Sequence, residues 1–581
     1  MKKRTRRIIS VFLLLTLLFS SALPALSAAA AGDNAITVVN ADPSAVVGYA
    51  PYVLPPEAAG AEYVPLTLLQ SGSLQASWPV SGGLQTQASG ADAFVDALTA
   101  FAPGVDLKAY GLTRAQAEKM MNDTINTRPE LFYFNGIYFS MDGNTVSYIW
   151  FMYTAAISVV KAQAARLAAE VEYILSLVPA GLSQVETVLW VNEYLAMNVY
   201  YPVIPANSAE DPYWFNVYGI LANGIGVCQG YALANCLLLD KLGVTCAFVV
   251  SDQMNHAWNL VRLDGQWYHV DTTWNDGATE YHLLDVPGYV NHNYFLLSDS
   301  VMKDANHSHH DWVAPAAATS NTYRNYFWTK TTSALAPLDG KWYYVADSNT
   351  WVSLGGNYNN SYALHSYDFA DASDATVGSI AVSVRPVPTN TTTFKAYRRT
   401  PSLASFGGKL YSNDGKTIFS MDTAGGNRVT LNSENLNEAN YQSIAGFAVQ
   451  HGQIRYGVFD MSSSTGGTLY FNYPGAILAA APTMPPVPYF TVNVQDNIDL
   501  CYHEPFKLIS TPQATRIEAE DPSLVKVDAD GTLHNVAFGK DELTGVWVYG
   551  PDGQYTYVIV AVYTDWWQWI IWILLFGWVW Y

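Results

Sequence analysis

The sequence predicts a multidomain chain, with an α+β core followed by all-β modules of propeller-like or sandwich type. Three observations carry that expectation. The chain has 581 residues, more than one ordinary core holds. Between about residues 113 and 242, apolar side chains recur at helical spacing behind capping signals. Beyond about residue 313, short strands separated by Gly-containing turns replace the helices.

Composition narrows the partners. Half of the residues are apolar and 14% are aromatic, enough to fill sizeable cores and to argue against global disorder. The formal charge is −20 and only 13% of residues are charged, which argues against nucleic acid as a partner because phosphate binding depends on Lys and Arg. Four cysteines in so long a chain do not make a disulfide scaffold. Cys236 and Cys246 sit in apolar stretches and read as small buried residues, with a bridge between them as the alternative.

In chain order, residues 1–31 read as a signal peptide. Five basic residues precede an apolar run at 8–18, and small residues around Ser27 follow it. Residues 32–90 are a low-complexity arm, rich in small residues and nearly uncharged. Residues 91–315 form the ordered core with its lead-in. Thr113-Arg114-Ala115-Gln116 fits a capping box, followed by a helix that Arg128-Pro129-Glu130 ends. Leu131-Phe132-Tyr133-Phe134 and the stretch 148–153 read as strands, turning at Asp142-Gly143. Two helices come next, one at about 159–177 and one capped by Ser183-Gln184-Val185-Glu186.

The downstream pattern is β throughout. Residues 316–472 are a β-rich module in which Gly340, Gly408 and Gly452 each precede an aromatic strand. Residues 473–488 are a Pro-rich linker. A small β module spans 489–564, turning at Pro551-Asp552-Gly553, and a Trp-rich hydrophobic tail spans 565–581. As a helix, the 16 residues from Trp566 would reach only ~24 Å, short of the ~30 Å of a bilayer core. Trp and Tyr favour the membrane interface, so the tail is a candidate for membrane-interface contact.

The chemistry sits in three short blocks. Gly226-Val227-Cys228-Gln229-Gly230-Tyr231-Ala232 places a cysteine at the start of a helix, where the dipole favours a thiolate. Asn255-His256-Ala257-Trp258-Asn259 and Trp267-Tyr268-His269-Val270-Asp271-Thr272-Thr273-Trp274 follow. Asp264-Gly265 predicts a two-residue hairpin between strands 256–263 and 266–273. In that register Leu263 faces Gln266, and His256 and Asp271 fall on one face. Cys228, His256 and Asp271 are therefore the candidate catalytic residues, as nucleophile, base and orienting carboxylate. The Cys228 N–H supplies one oxyanion donor, and Tyr200, Tyr201, Trp214 and Gln229 are candidates for the second. His269 faces away and reads as packing. Trp258 and Trp274 read as core or cleft wall. The run His307-Ser308-His309-His310-Asp311 holds metal-binding side chains, but His-rich loops are common, and neither a metal nor a cofactor is expected.

Together these blocks resemble the signatures of the transglutaminase-like superfamily. The resemblance covers about 185–300, including Asn293-Tyr294-Phe295-Leu296-Leu297-Ser298, and Pro129-Glu130-Leu131-Phe132-Tyr133 is similar to the lead-in of exported bacterial members. Thr272 stands where the family often has Pro. The resemblance implies a papain-like fold and a Cys-His-Asp triad. The expected function is an exported amide-bond enzyme that works through a Cys thioester on protein or cell-wall peptide. It would be a protease or amidase, or a cross-linking enzyme. Two alternatives are a surface adhesion or assembly protein using the domain for binding, and a deglycosylase of amide-linked glycans. The expected location is secreted or cell-surface, with possible membrane association.

Overall fold

The chain builds outward from a helix that begins at Cys228 and lies against a four-stranded antiparallel sheet. The structure, a computed structural model, describes residues 37–40, 55, 58, 61–65, 90–202, 212–276, 287–346, 358–384, 401–433, 442–463, 466–487, 491–492, 497–511, 513–549 and 555–569. The signal segment 1–31, most of the arm, the Pro551-Asp552-Gly553 turn and residues 570–581 lie outside this set.

The lead-in is a helix-and-sheet layer. Thr113 and Gln116 form the expected reciprocal cap, with Gln116 Oε1 accepting from the Thr113 N–H at 2.9 Å, and the helix runs Arg114–Thr127. The strands differ from expectation at one end. Pro129–Leu131 forms a tight 3₁₀ turn, so pairing starts at Phe134 rather than Leu131. Pro at the first position of that turn fixes its own φ and has no N–H to give a ladder. Strands Phe134–Asp142 and Thr145–Tyr153 then turn through Asp142-Gly143, and Glu62–Pro65 of the arm adds to the sheet edge.

Helices Ile157–Ser176 and Gln184–Asn198 follow, the second held by a full capping box at Ser183 and Glu186. A π-helical turn, Tyr218–Ala222, leads to the helix Cys228–Lys241. The sheet beneath it runs in the order Cys246–Ser251, His256–Leu263, Gln266–Val270, Phe295–Leu297. Phe94, Phe151, Leu189, Tyr218, Tyr231 and Val261 belong to one continuous core that also takes in Trp328 and Trp342 of the following β region.

The β region is a series of four-stranded sheets. The first runs Ala336–Leu338, Lys341–Val345, Tyr358–Asp368, Ser373–Val384. The second runs Leu403–Phe406, Lys409–Asn413, Thr417–Met421, Val429–Ser433. The third joins Ser443–Gln450, Gln453–Ser463 and Gly466–Ile477, with Thr37–Asn40 of the arm pairing in parallel on its edge. Each opens with a two-residue hairpin whose central residues both have left-handed φ. These are Asp339 (51°) with Gly340 (75°), Gly407 (55°) with Gly408 (74°), and His451 (46°) with Gly452 (73°). That is the signature of type I′ turns, whose twist matches the strands they join. No closed barrel or propeller forms among the described residues. The last module has its own core around Leu500, Val525, Leu533 and Val560.

The β region is bolted to the core by polar contacts. Glu193 accepts from the Leu335 N–H at 2.8 Å and pairs with His292 Nε2 at 2.8 Å. Glu170, buried, pairs with His451 Nε2 at 2.7 Å, and the Trp342 indole donates to Glu186. Among the described residues no helix is long and apolar enough to cross a membrane.

Candidate active site

Cys228 is the first residue of its helix, where no intrahelical carbonyl reaches its N–H. It is partly exposed, while its partners are buried. The flanking glycines explain how it gets there. A Cβ on Gly226 would come within 2.5 Å of Ile220 Cδ1, and one on Gly230 within 2.6 Å of the Trp214 carbonyl. Only residues without side chains let the helix start press this closely on the preceding segment. The Val227 N–H donates to Trp214 O at 2.9 Å and the Gly226 N–H to Tyr200 O at 3.2 Å, which fixes the approach.

His256 heads its strand opposite Ser251, and the hairpin register is as the sequence predicts, with Leu263 facing Gln266 and Asn259 facing Val270. The second strand ends earlier than expected, at Val270 rather than Thr273. Asp271 instead caps the helical turn Thr272–Asn275, its Oδ1 accepting from the Trp274 N–H at 3.1 Å. An Asp side chain that can bond the backbone three residues on competes successfully with the ladder. The cap orients the carboxylate so that Oδ2 meets His256 Nε2 at 2.7 Å. Cys228 is the other hydrogen-bonding partner of the His256 side chain.

The electrostatics follow from burial. Burial alone pulls His256 down, but the Asp271 charge and hydrogen bond, with Cys228, outweigh it and push its pKa up to about 10. Burial raises Asp271, and the charges and hydrogen bonds of His256 and His309 overcome that and hold it well below the usual carboxylate range.

The surroundings are aromatic. Trp258, 1% exposed, stacks on His256 with ring centroids 5.5 Å apart, and Trp274 lies 5.7 Å away. His269 does more than pack. Its Nδ1 accepts from the Trp258 indole at 2.9 Å, and its Nε2 donates to Asp299 at 2.8 Å. Of the oxyanion candidates, Gln229 has its amide committed to Phe215 O at 3.1 Å. Tyr200 and Trp214 hold the approach to Cys228 through their backbones.

One site residue was missed by sequence reasoning. His309, from the His-rich run 307–311, is fully buried with Nε2 on Asp271 Oδ2 at 2.9 Å. Its separation of 38 residues from Asp271 lies outside every local pattern. The donor atoms of His256, Asp271 and His309 lie within 4.8 Å of one another. They are spent on one another, since each Nε2 points at the same carboxylate oxygen.

Residues 176–272 match the Transglutaminase-like superfamily. The chain carries a transglutaminase-like domain. That superfamily comprises papain-like cysteine enzymes, in general peptidases and acyltransferases. No curated protein matches the sequence. Among solved structures, two crystal structures of the extracellular domain of BT4673 from B. thetaiotaomicron match 55% and 54% of this chain at 11% identity, with TM-scores of 0.17 and 0.18. The matched part is 44% of those chains, less than half their length. Cadherin domains 1–4 of protocadherin gamma B7 match 38% of this chain and 67% of that one at 8% identity, with a TM-score of 0.12.

Proposed function

We propose that the chain is an exported cysteine-dependent amide-bond enzyme that works by acyl transfer through a thioester on Cys228. The observation that carries this is the continuous contact from Cys228 through His256 to Asp271, with the thiol partly exposed at a helix N-terminus and the two partners buried. Within that arrangement the Cys228 thiolate attacks an amide carbonyl, forming a C–S bond. The tetrahedral oxyanion is held by the Cys228 N–H. Its collapse breaks the C–N bond, and the leaving amine takes the His256 proton. Water or a primary amine, deprotonated by His256, then attacks the thioester and releases Cys228.

The substrate class is protein or cell-wall peptide, recruited by the β region that follows the catalytic domain. The Trp-rich tail supplies contact with a membrane interface. At its start Gln568 is buried and donates to Tyr502 O at 2.6 Å, while Trp566 stays 69% exposed. Exposed indoles at this point fit contact with a membrane interface, where Trp is enriched.

Mass spectrometry of a protein and wall-peptide mixture incubated with the enzyme and a primary amine tests the reading. Amine incorporation identifies a cross-linking enzyme and hydrolysis a peptidase or amidase. If neither occurs, and Cys228 reacts with iodoacetamide no faster than a free thiol, the domain is a binding module and the proposal fails.

A further inference from the structure

His309 is held at Asp271 by a loop with hydrogen bonds of its own. Its Nε2 lies 2.9 Å from Asp271 Oδ2 and its Nδ1 2.9 Å from the His307 carbonyl. A carbonyl can only accept, and so can an ionised carboxylate, so the ring satisfies both only when both nitrogens carry protons. The loop is pinned at each side. The His309 N–H donates to Met302 O at 2.9 Å, and His307 bridges Asp304 and the Asn293 carbonyl. Ser308 and Asp311, flanking the inward turn, both take left-handed φ, at 57° and 50°, a conformation that costs free energy for residues with side chains. Beyond the loop, Val313 pairs with Val250 on the strand beside His256.

We propose that His309 is a positioning residue: as a cation it clamps the oxygen of Asp271 that also holds His256, and it sets the pH range over which Cys228 is reactive. The assignment rests on the thioester reading above. The clamp does two things. It fixes the carboxylate with a second charge-assisted hydrogen bond. It also places a positive charge beside His256, whose ring centroid is 5.7 Å from that of His309, so it favours the thiolate and opposes an over-stable imidazolium. The titratable groups facing His309 are Asp271 and His256, His269 across Trp258, Tyr294 with its ring 5.3 Å away, and His307 on the same loop.

The test is the pH profile of Cys228 alkylation by iodoacetamide in the full chain, for wild type and His309→Gln. The Gln amide can still donate to Asp271 but carries no charge. The expected result is a profile displaced to higher pH by about one unit, so the rate on its rising limb falls roughly tenfold. Superimposable profiles overturn the proposal. A wild-type profile like that of a free thiol overturns the thioester reading instead, so the two failures are distinct. If His309→Gln does not fold, selectively ¹⁵N-labelled histidine spectra of the wild-type chain decide the matter. Two protonated nitrogens on the ring bonded to Asp271 and the His307 carbonyl support the clamp, and one bare nitrogen overturns it.

Discussion

The Asn259 side-chain amide donates to the Ala232 carbonyl at 2.9 Å, joining the strand that carries His256 to the helix that carries Cys228. The same nitrogen also lies 3.2 Å from Cys236 Sγ on that helix. Asn259 is buried, so this bond sets the distance between the two halves of the site without contact with solvent. Asn259→Ala removes this bond to a carbonyl that keeps its place in the helix ladder, at a cost of about 0.5–1.5 kcal/mol. Thermal unfolding is expected to fall accordingly, and Cys228 alkylation to slow because the thiol and imidazole lose their common brace.

Cys228→Ala and Asp271→Asn separate chemistry from folding. Cys228 is partly exposed, and its removal is expected to leave the melting temperature nearly unchanged while turnover vanishes. Asp271→Asn keeps the shape but removes the charge that both histidines face, with an expected loss of roughly 10³-fold or more in turnover. Wild-type turnover in either variant would remove these residues from the mechanism.

The His256–Asp271 pair makes stability depend on pH in a defined window. His256 is raised from 6.5 to about 10 on folding, so its contribution is complete below pH 6.5 and is lost as pH rises towards 10. Asp271 is depressed below 3.8, so its contribution is present above pH 3.8 and is lost as pH falls through its lower folded value. Wild type minus Asp271→Asn stability is therefore expected to be largest between pH 4 and 6.5 and to decline above it. Chemical denaturation across pH 4 to 10 measures the difference, and a flat difference contradicts the pairing.

Glu193 is the test of how the core and the β region cohere. It is buried, takes the Leu335 N–H, and is bonded to His292. Glu193→Ala removes the partner of His292 Nε2 and of the Leu335 N–H, at a cost of about 1–3 kcal/mol for each buried group left unsatisfied. Limited proteolysis is expected to cut near residue 335 in the variant before it cuts wild type.

The sequence made the hairpin of the candidate site legible because three local signals agreed. Asp264-Gly265 set the turn, alternation set the faces, and the helix start placed Cys228 upstream of both. Helix starts at Thr113 and Ser183 were legible for the same reason, since a capping box lies within four residues. The end of the second strand of that hairpin was not, because Asp271 satisfies either a strand or a cap and only its packing beneath His256 decides. His309 was illegible for a different reason. Its role depends on a loop whose left-handed Ser308 and Asp311 have no composition signal, and on a partner 38 residues away. The β sheets were legible as hairpins, but whether they close on themselves is a matter of sheet-to-sheet packing that no single hairpin encodes.

The turn at His451-Gly452 serves two masters. Its backbone needs left-handed φ at both positions, like the turns at Asp339-Gly340 and Gly407-Gly408, while its imidazole reaches back to Glu170 in the core. Asn or Gly there would suit the turn and abandon Glu170; Lys or Arg would suit Glu170 and strain the turn. The three hairpins are therefore alike in shape but not interchangeable. A chimera that moved the Gly407-Gly408 turn into the third sheet would fold its hairpin correctly and leave a carboxylate stranded in the core.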